Sequence, residues 1–181
     1  WNNGGTLSSA SSSNPTASPS VTTTYTLTGT DANGCENTDQ VTVSVNALPN
    51  VSAGTNQVMC FNDTVALAGS GASTYSWNNG GTLSSTSSSN PMASPSVTTT
   101  YTLTGTDANG CENTDQVIVT VNALPNVSAG SDTAICYGLA GLMLNASGAA
   151  NYTWSPASAV TPANSPNTHV VPNSSASYYL E

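Results

Sequence analysis

The sequence predicts an all-β chain of tandem modules, each made of antiparallel strands in two packed sheets. Three observations predict this. A long internal repeat runs through the chain, Val, Leu and Tyr alternate with Thr at period two, and no segment shows helical periodicity over three turns.

Residues 1–54 recur as residues 77–130, an offset of 76, and differ only at Ala10/Thr86, Thr16/Met92, Thr42/Ile118 and Ser44/Thr120. A diverged third copy follows. Asn151-Tyr152-Thr153-Trp154 matches Thr74-Tyr75-Ser76-Trp77 at an offset of 77, so one residue is inserted near Gly141. The Asn-Ala-Leu-Pro-Asn segments at 46–50 and 122–126 each follow a valine-rich run and carry a proline, which suits a short stiff linker. They set the expected boundaries: 1–46 is the C-terminal part of one module, 47–122 a complete module, and 123–181 the N-terminal part of a third, diverged one.

Within the complete module, Val65 and Leu67 mark an early strand, and Tyr75 and Trp77 a middle one. The Ser/Asn/Gly/Pro-rich connection from Trp77 to Val97 has room for a short edge strand or two. Val97, Thr99, Tyr101 and Leu103 then share one face, with Thr98, Thr100, Thr102 and Thr104 on the other. Val117, Val119 and Val121 repeat the pattern, with Ile118 and Thr120 outward. Asn109-Gly110 between these runs is a hairpin-turn signal, because both residues tolerate positive φ. Residues 97–107 and 111–121 are therefore expected to pair antiparallel as the last two strands.

Each module carries one early and one late cysteine: Cys60 and Cys136 are equivalent, as are Cys35 and Cys111. The favoured pairing is Cys60–Cys111 within the complete module, with the partners of Cys35 and Cys136 outside the chain; Cys35–Cys60 is the competing pairing. A loop of about 50 residues closed this way contributes roughly 4 kcal/mol through the unfolded state. It would also require an oxidising compartment. Trp77 lies between these two cysteines on the middle strand, and a Trp packed on an inter-sheet disulfide marks immunoglobulin-like domains. The expected fold is thus a series of immunoglobulin-like antiparallel β-sandwiches.

Composition excludes several functions. The chain has nine acids, no Lys and no Arg, for a net charge of −9. Phosphate neutralisation and docking on anionic lipid both need cations, so neither nucleic acid nor a membrane surface is an expected partner. No run approaches the eighteen apolar residues of a membrane span, so membrane insertion is not expected. Catalysis is not expected either: there is one His, no Lys, and no paired carboxylates in an apolar setting. Close Cys/His spacings typical of zinc sites are missing, and His169 reads as a loop residue amid Pro and Asn.

The string Thr99-Thr100-Tyr101-Thr102-Leu103-Thr104-Gly105-Thr106-Asp107-Ala108-Asn109-Gly110-Cys111, followed by Asp115-Gln116-Val117-Ile118-Val119-Thr120-Val121-Asn122-Ala123-Leu124-Pro125, resembles PKD-like and Ig-like repeats of large secreted bacterial surface proteins. These include gliding-motility adhesins and other type IX-secreted proteins. Ala134-Ile135-Cys136-Tyr137-Gly138 and Tyr152-Thr153-Trp154-Ser155-Pro156 match the same pattern. The resemblance implies a PKD-like sandwich, a cell-surface or filament location and a spacer or adhesive role, and it transfers no catalytic residue.

Two kinds of site follow as expectations. Asp107, Asn109, Glu112 and Asp115 surround the hairpin turn, where oxygen ligands suit Ca²⁺; equally, Asp and Asn there stabilise the turn and keep a strand end soluble. No other cofactor is expected. Asp63-Thr64-Val65 and Asp132-Thr133-Ala134 resemble the Asp-Thr-apolar O-glycan acceptor of the bacteria that carry such repeats, making Thr64 and Thr133 glycosylation candidates. Six Asn-x-Ser/Thr triplets begin at Asn50, Asn62, Asn126, Asn145, Asn151 and Asn173.

Two functions are expected. The first is a structural repeat, the stalk or shaft of an extracellular bacterial surface filament or adhesin, with neighbouring repeats or copies as partners. The second is an adhesive module that binds carbohydrate or a surface through Thr-rich strand faces or loops. Lack of Lys and Arg removes every trypsin-type cleavage site, which suits life outside the cell.

Overall fold

A computed structural model of the chain describes residues 1–2, 4–136 and 138–181; Tyr137 of the early-cysteine motif lies outside them. The chain is all-β and forms two compact units, Trp1–Asn122 and Ala123–Glu181. The helical elements among the described residues are single 3-10 turns at Gly4–Thr6, Gly80–Thr82 and Ala157–Ala159.

The first unit opens with strands β1 (Thr23–Thr30) and β2 (Glu36–Val43), a two-stranded antiparallel ribbon. There follow β3 (Gln57–Cys60), β4 (Val65–Ala66), β5 (Thr74–Trp77), β6 (Met92–Ala93), β7 (Thr99–Thr106) and β8 (Glu112–Asn122). Four of these make a sheet in the order β3-β8-β7-β5, while β4 and β6 pair as a separate ribbon. A core lies between them. From the four-stranded sheet come Met59, Trp77, Tyr101, Leu103, Val117 and Val119; from the other side come Val51, Ala53, Leu67 and Ala93. The period-two pattern explains the register, since Tyr101 pairs with Val117 and Leu103 with Asp115 while Thr100, Thr102 and Ile118 turn outward. Val97 falls outside the strand and is exposed.

Three details differ from the sequence-based expectation. The sheet is not wholly antiparallel, because β3 runs parallel to β8, with Gln57 opposite Val119 and Cys60 opposite Asn122. The hairpin turn spans residues 107–111, and among its members only Gly110 has a positive φ. The turn is built by Asp107, whose Oδ1 accepts the Asn109 and Cys111 N–H groups at 2.8 Å each.

The third concerns the cysteines. All four are unbonded. Cys60 lies opposite Asn122 at one end of β8, and Cys111 immediately precedes Glu112 at the other. The full strand separates them, roughly 35 Å at a strand's rise per residue, whereas a disulfide spans about 6 Å between Cα atoms. The Cys60–Cys111 pair therefore does not form, and Trp77 packs against Leu103 rather than a disulfide. Its indole N–H donates to the Ser88 carbonyl at 2.9 Å. Trp1 and Trp154 repeat the bond to Ser12 and Ser165, eleven residues on in each copy.

The β1–β2 hairpin is less covered than the β7–β8 hairpin. Tyr25 stays buried, its hydroxyl 2.6 Å from Thr6 Oγ1, just as Tyr101 meets Thr82. But Leu27 is 36% exposed where Leu103 is 0%, and Val41 is 48% exposed where Val117 is 0%.

The second unit contains β9 (Leu142–Asn145), β10 (Trp154–Ser155), β11 (Val160–Thr161), β12 (Asn167–Val170) and β13 (Tyr179–Leu180). Strands β11-β12-β9 form one sheet, and β10 pairs with β13. Trp154, Val160 and Val170 form its core, with Leu142, Leu144, Tyr178 and Leu180 packed around them. His169, expected in a loop, is a half-buried member of β12 opposite Met143 and Thr161. Gly141, at the inserted residue, has φ +115, and a Cβ there would lie 2.5 Å from the His169 ring.

Candidate functional site

A run of hydrogen bonds joins the segment that leads into β3 to the last strand of the first unit, β8. Residues 49–60 run alongside β8 over nearly its whole length. Asn113 Nδ2 donates to the Pro49 carbonyl at 3.0 Å. The Ala53 N–H donates to Asp115 Oδ2 at 2.8 Å, and the Ile118 N–H donates to Asn56 Oδ1 at 2.9 Å. The parallel ladder from Gln57 to Cys60 takes over, and the Phe61 N–H closes the run on the Asn122 carbonyl at 2.9 Å. On its far side the same segment exchanges two backbone bonds between Ser52 and Ser70.

Local sequence explains this geometry. Asn113 and Asp115 occupy the same face of β8 as Val117 and Val119, so two polar groups continue the inward row. Their partners are the backbone of the leading segment rather than apolar side chains. The Ala53 N–H, followed by that of Gln116, holds the Asp115 carboxyl below its ordinary range. Close approach is permitted by Gly105, where a Cβ would fall 2.6 Å from Val51 Cγ2 and 2.7 Å from Ala72 Cβ.

The proposed Ca²⁺ ligands do not converge. Asp107 is occupied by its own turn: the Cys111 N–H, then that of Asn109, lowers its pKa, and the Asn109 side chain lies 3.4 Å from its other oxygen. Glu112 Oε1 accepts from Thr106 Oγ1 at 3.3 Å, and Asp115 serves Ala53. Asp31 repeats the Asp107 arrangement in the first hairpin, again with the Cys35 N–H as the leading cause of its lowered pKa. Among the described residues no three His, Cys, Asp or Glu side chains gather as a metal site.

Thr64 and Thr133 are both exposed, the first just before β4 and the second outside any strand. The outward Thr row lies on the four-stranded sheet, where Gln116 Nε2 donates to Thr102 Oγ1 at 3.1 Å. No helix among the described residues is long and apolar enough to cross a membrane. The leading-segment contacts of Asn56, Asn113 and Asp115 were not among the sites the sequence suggested, although two polar residues on the apolar face of a strand were a signal for them.

No protein-family model matches the chain, and no curated protein matches it. Solved structures do match, among them the crystal structure of the human desmocollin-1 ectodomain. That similarity has a TM-score of 0.32 and 11% identity, and covers 75% of this chain and 33% of that one. The chain thus spans about a third of the length of that structure.

Proposed function

We propose that the chain is a load-bearing structural repeat, part of the stalk or shaft of an extracellular bacterial surface filament or adhesin, built from PKD-like, immunoglobulin-like β-sandwich modules. The observation that carries this reading is the placement of the two ends of the complete module. Pro49 is bonded beside Asn113 and the final Asn122 lies opposite Cys60, so the chain enters and leaves at opposite ends of β8. Tension between these points slides residues 49–60 along β8. Every bond between them then resists together, in shear, instead of opening one at a time. A 54-residue stretch repeated with four changes also favours length over a series of distinct binding sites.

The test is labelling of intact cells with an antibody to residues 47–122, read by electron microscopy. Label strung along thin projecting fibres is the expected result. Label confined to the medium, together with polysaccharide binding by the chain, would overturn the stalk reading in favour of an adhesive module.

A further inference from the structure

Asn-Gly is a favoured turn pair, and it is also the dipeptide at which an asparagine side chain deamidates most readily, because glycine leaves its own nitrogen unhindered. The pair closes the β7–β8 hairpin as Asn109-Gly110 and the β1–β2 hairpin as Asn33-Gly34. Both asparagines are exposed to water. Nothing lies within 4 Å of where a Cβ would sit on Gly34 or Gly110. Neither burial nor crowding shields these two bonds.

Each pair is instead tied to the aspartate two residues before the asparagine. The Gly110 N–H donates to the Asp107 carbonyl at 3.2 Å, and the Asn109 N–H to Asp107 Oδ1 at 2.8 Å. The Asn109 side-chain nitrogen lies 3.4 Å from Asp107 Oδ2. The first hairpin repeats all three. The Gly34 N–H reaches the Asp31 carbonyl at 3.1 Å, the Asn33 N–H reaches Oδ1 at 2.8 Å, and Asn33 Nδ2 lies 3.4 Å from Oδ2. The N–H groups of Cys111 and Cys35 hold the same Oδ1 atoms from the other side, at 2.8 and 2.9 Å.

We propose that Asn33 and Asn109 are latent deamidation sites, held closed by Asp31 and Asp107. In the reaction the Gly110 nitrogen attacks Asn109 Cγ. A carbon–nitrogen bond forms to close a cyclic succinimide, the side-chain amide bond breaks, and ammonia leaves with the proton that the Gly110 nitrogen gives up. Water then opens the ring at either carbonyl, leaving Asp or isoaspartate. Closure requires the Gly110 N–H to be released and the Asn109 side chain to swing onto it. The Asp107 carbonyl holds the first, while its carboxylate anchors the Asn109 backbone and faces the side-chain nitrogen. An isoaspartate would add a methylene to the main chain inside the turn that sets the register of β7 on β8.

The test incubates the full chain and its Asp107→Ala variant at mildly alkaline pH and follows conversion of amide to acid by peptide mass spectrometry, with fragment masses placing the converted residue. The substitution itself separates the variant turn from the otherwise identical turn around Asn33. Losing the carboxylate bonds should speed conversion at Asn109 at least about tenfold, with Asn33 in the same molecule unchanged. Asp107→Asn, whose Oδ1 still accepts both N–H groups, should fall nearer the wild-type rate. Equal rates at Asn109 in Asp107→Ala and wild type overturn the proposal, as does an Asp107→Asn chain that converts as fast as Asp107→Ala. Faster conversion accompanied by faster amide hydrogen exchange along β7 and β8 also overturns it, because opening of the hairpin would then be the cause.

Discussion

Leu103→Ala and Leu27→Ala make the same change at equivalent places in two copies of one sequence. Leu103 is fully buried, packed on Trp77 and against Gly69. Truncating it removes the transfer energy of the side chain and leaves a cavity walled by a two-sided core, a loss of about 3 kcal/mol. For a domain of this size that lowers the melting temperature by roughly 12–24 °C. Leu27 is 36% exposed, and its space opens to solvent, so the loss there is about 1 kcal/mol or less. Hydrogen exchange read by mass spectrometry separates the two hairpins through peptides that reach residues 42–44 or 118–120, because Thr42/Ile118 and Ser44/Thr120 give these different masses whereas residues 17–41 and 93–117 are identical. Leu103→Ala should raise exchange throughout β7, β8 and β3, while Leu27→Ala changes only β1 and β2. Equal losses from the two variants would refute the claim that the leading segment closes the core.

The same pairing of sites tests Gly105, where Ala would press a methyl group into Val51 and Ala72; Gly105→Ala should cost about 1–3 kcal/mol, and Gly29→Ala, with no atom within 4 Å, should be neutral in the same melting experiment. Asp115 tests the pH dependence. Its folded pKa is depressed, so its contribution is present above the unfolded value near 3.9 and is lost as pH falls through the lower folded value. The Ala53 amide NMR signal should therefore shift with a midpoint below about 4, and the shift should vanish in Asp115→Asn. Thiol titration of the unfolded, unreduced monomer should return four free thiols; a Cys60–Cys111 bond would leave two and contradict the placement of these residues at opposite ends of β8.

Much of the β7–β8 region was legible in the sequence because its signals are local. Alternating Val and Thr specify a strand and its buried face together, so the β7–β8 hairpin and the inward Tyr101, Leu103, Val117 and Val119 follow from residues a few positions apart. β3 was not legible. Gln57-Val58-Met59-Cys60 is too short to show a period, and it becomes a strand by pairing with residues some sixty positions on. The cysteine pairing failed for a related reason: counting one early and one late Cys per module says nothing about which end of a strand each occupies. The acids near the turn looked like one cluster in sequence, but strand alternation and the turn aim Asp107 and Asp115 at different backbone groups. His169 joins a strand although Pro and Asn surround it, because it lies between the buried Thr168 and Val170 of β12.

Stretching the full chain in a single-molecule force experiment loads residues 49–60 against β8 in shear. One discrete rupture is expected, releasing about 22 nm as the residues between Pro49 and Asn122 extend. The double variant Asn56→Ala, Asp115→Ala, which removes two of the bonds loaded in shear, should rupture at clearly lower force with the same length released. Gradual extension with no discrete event, or a rupture force that the double variant leaves unchanged, would contradict it.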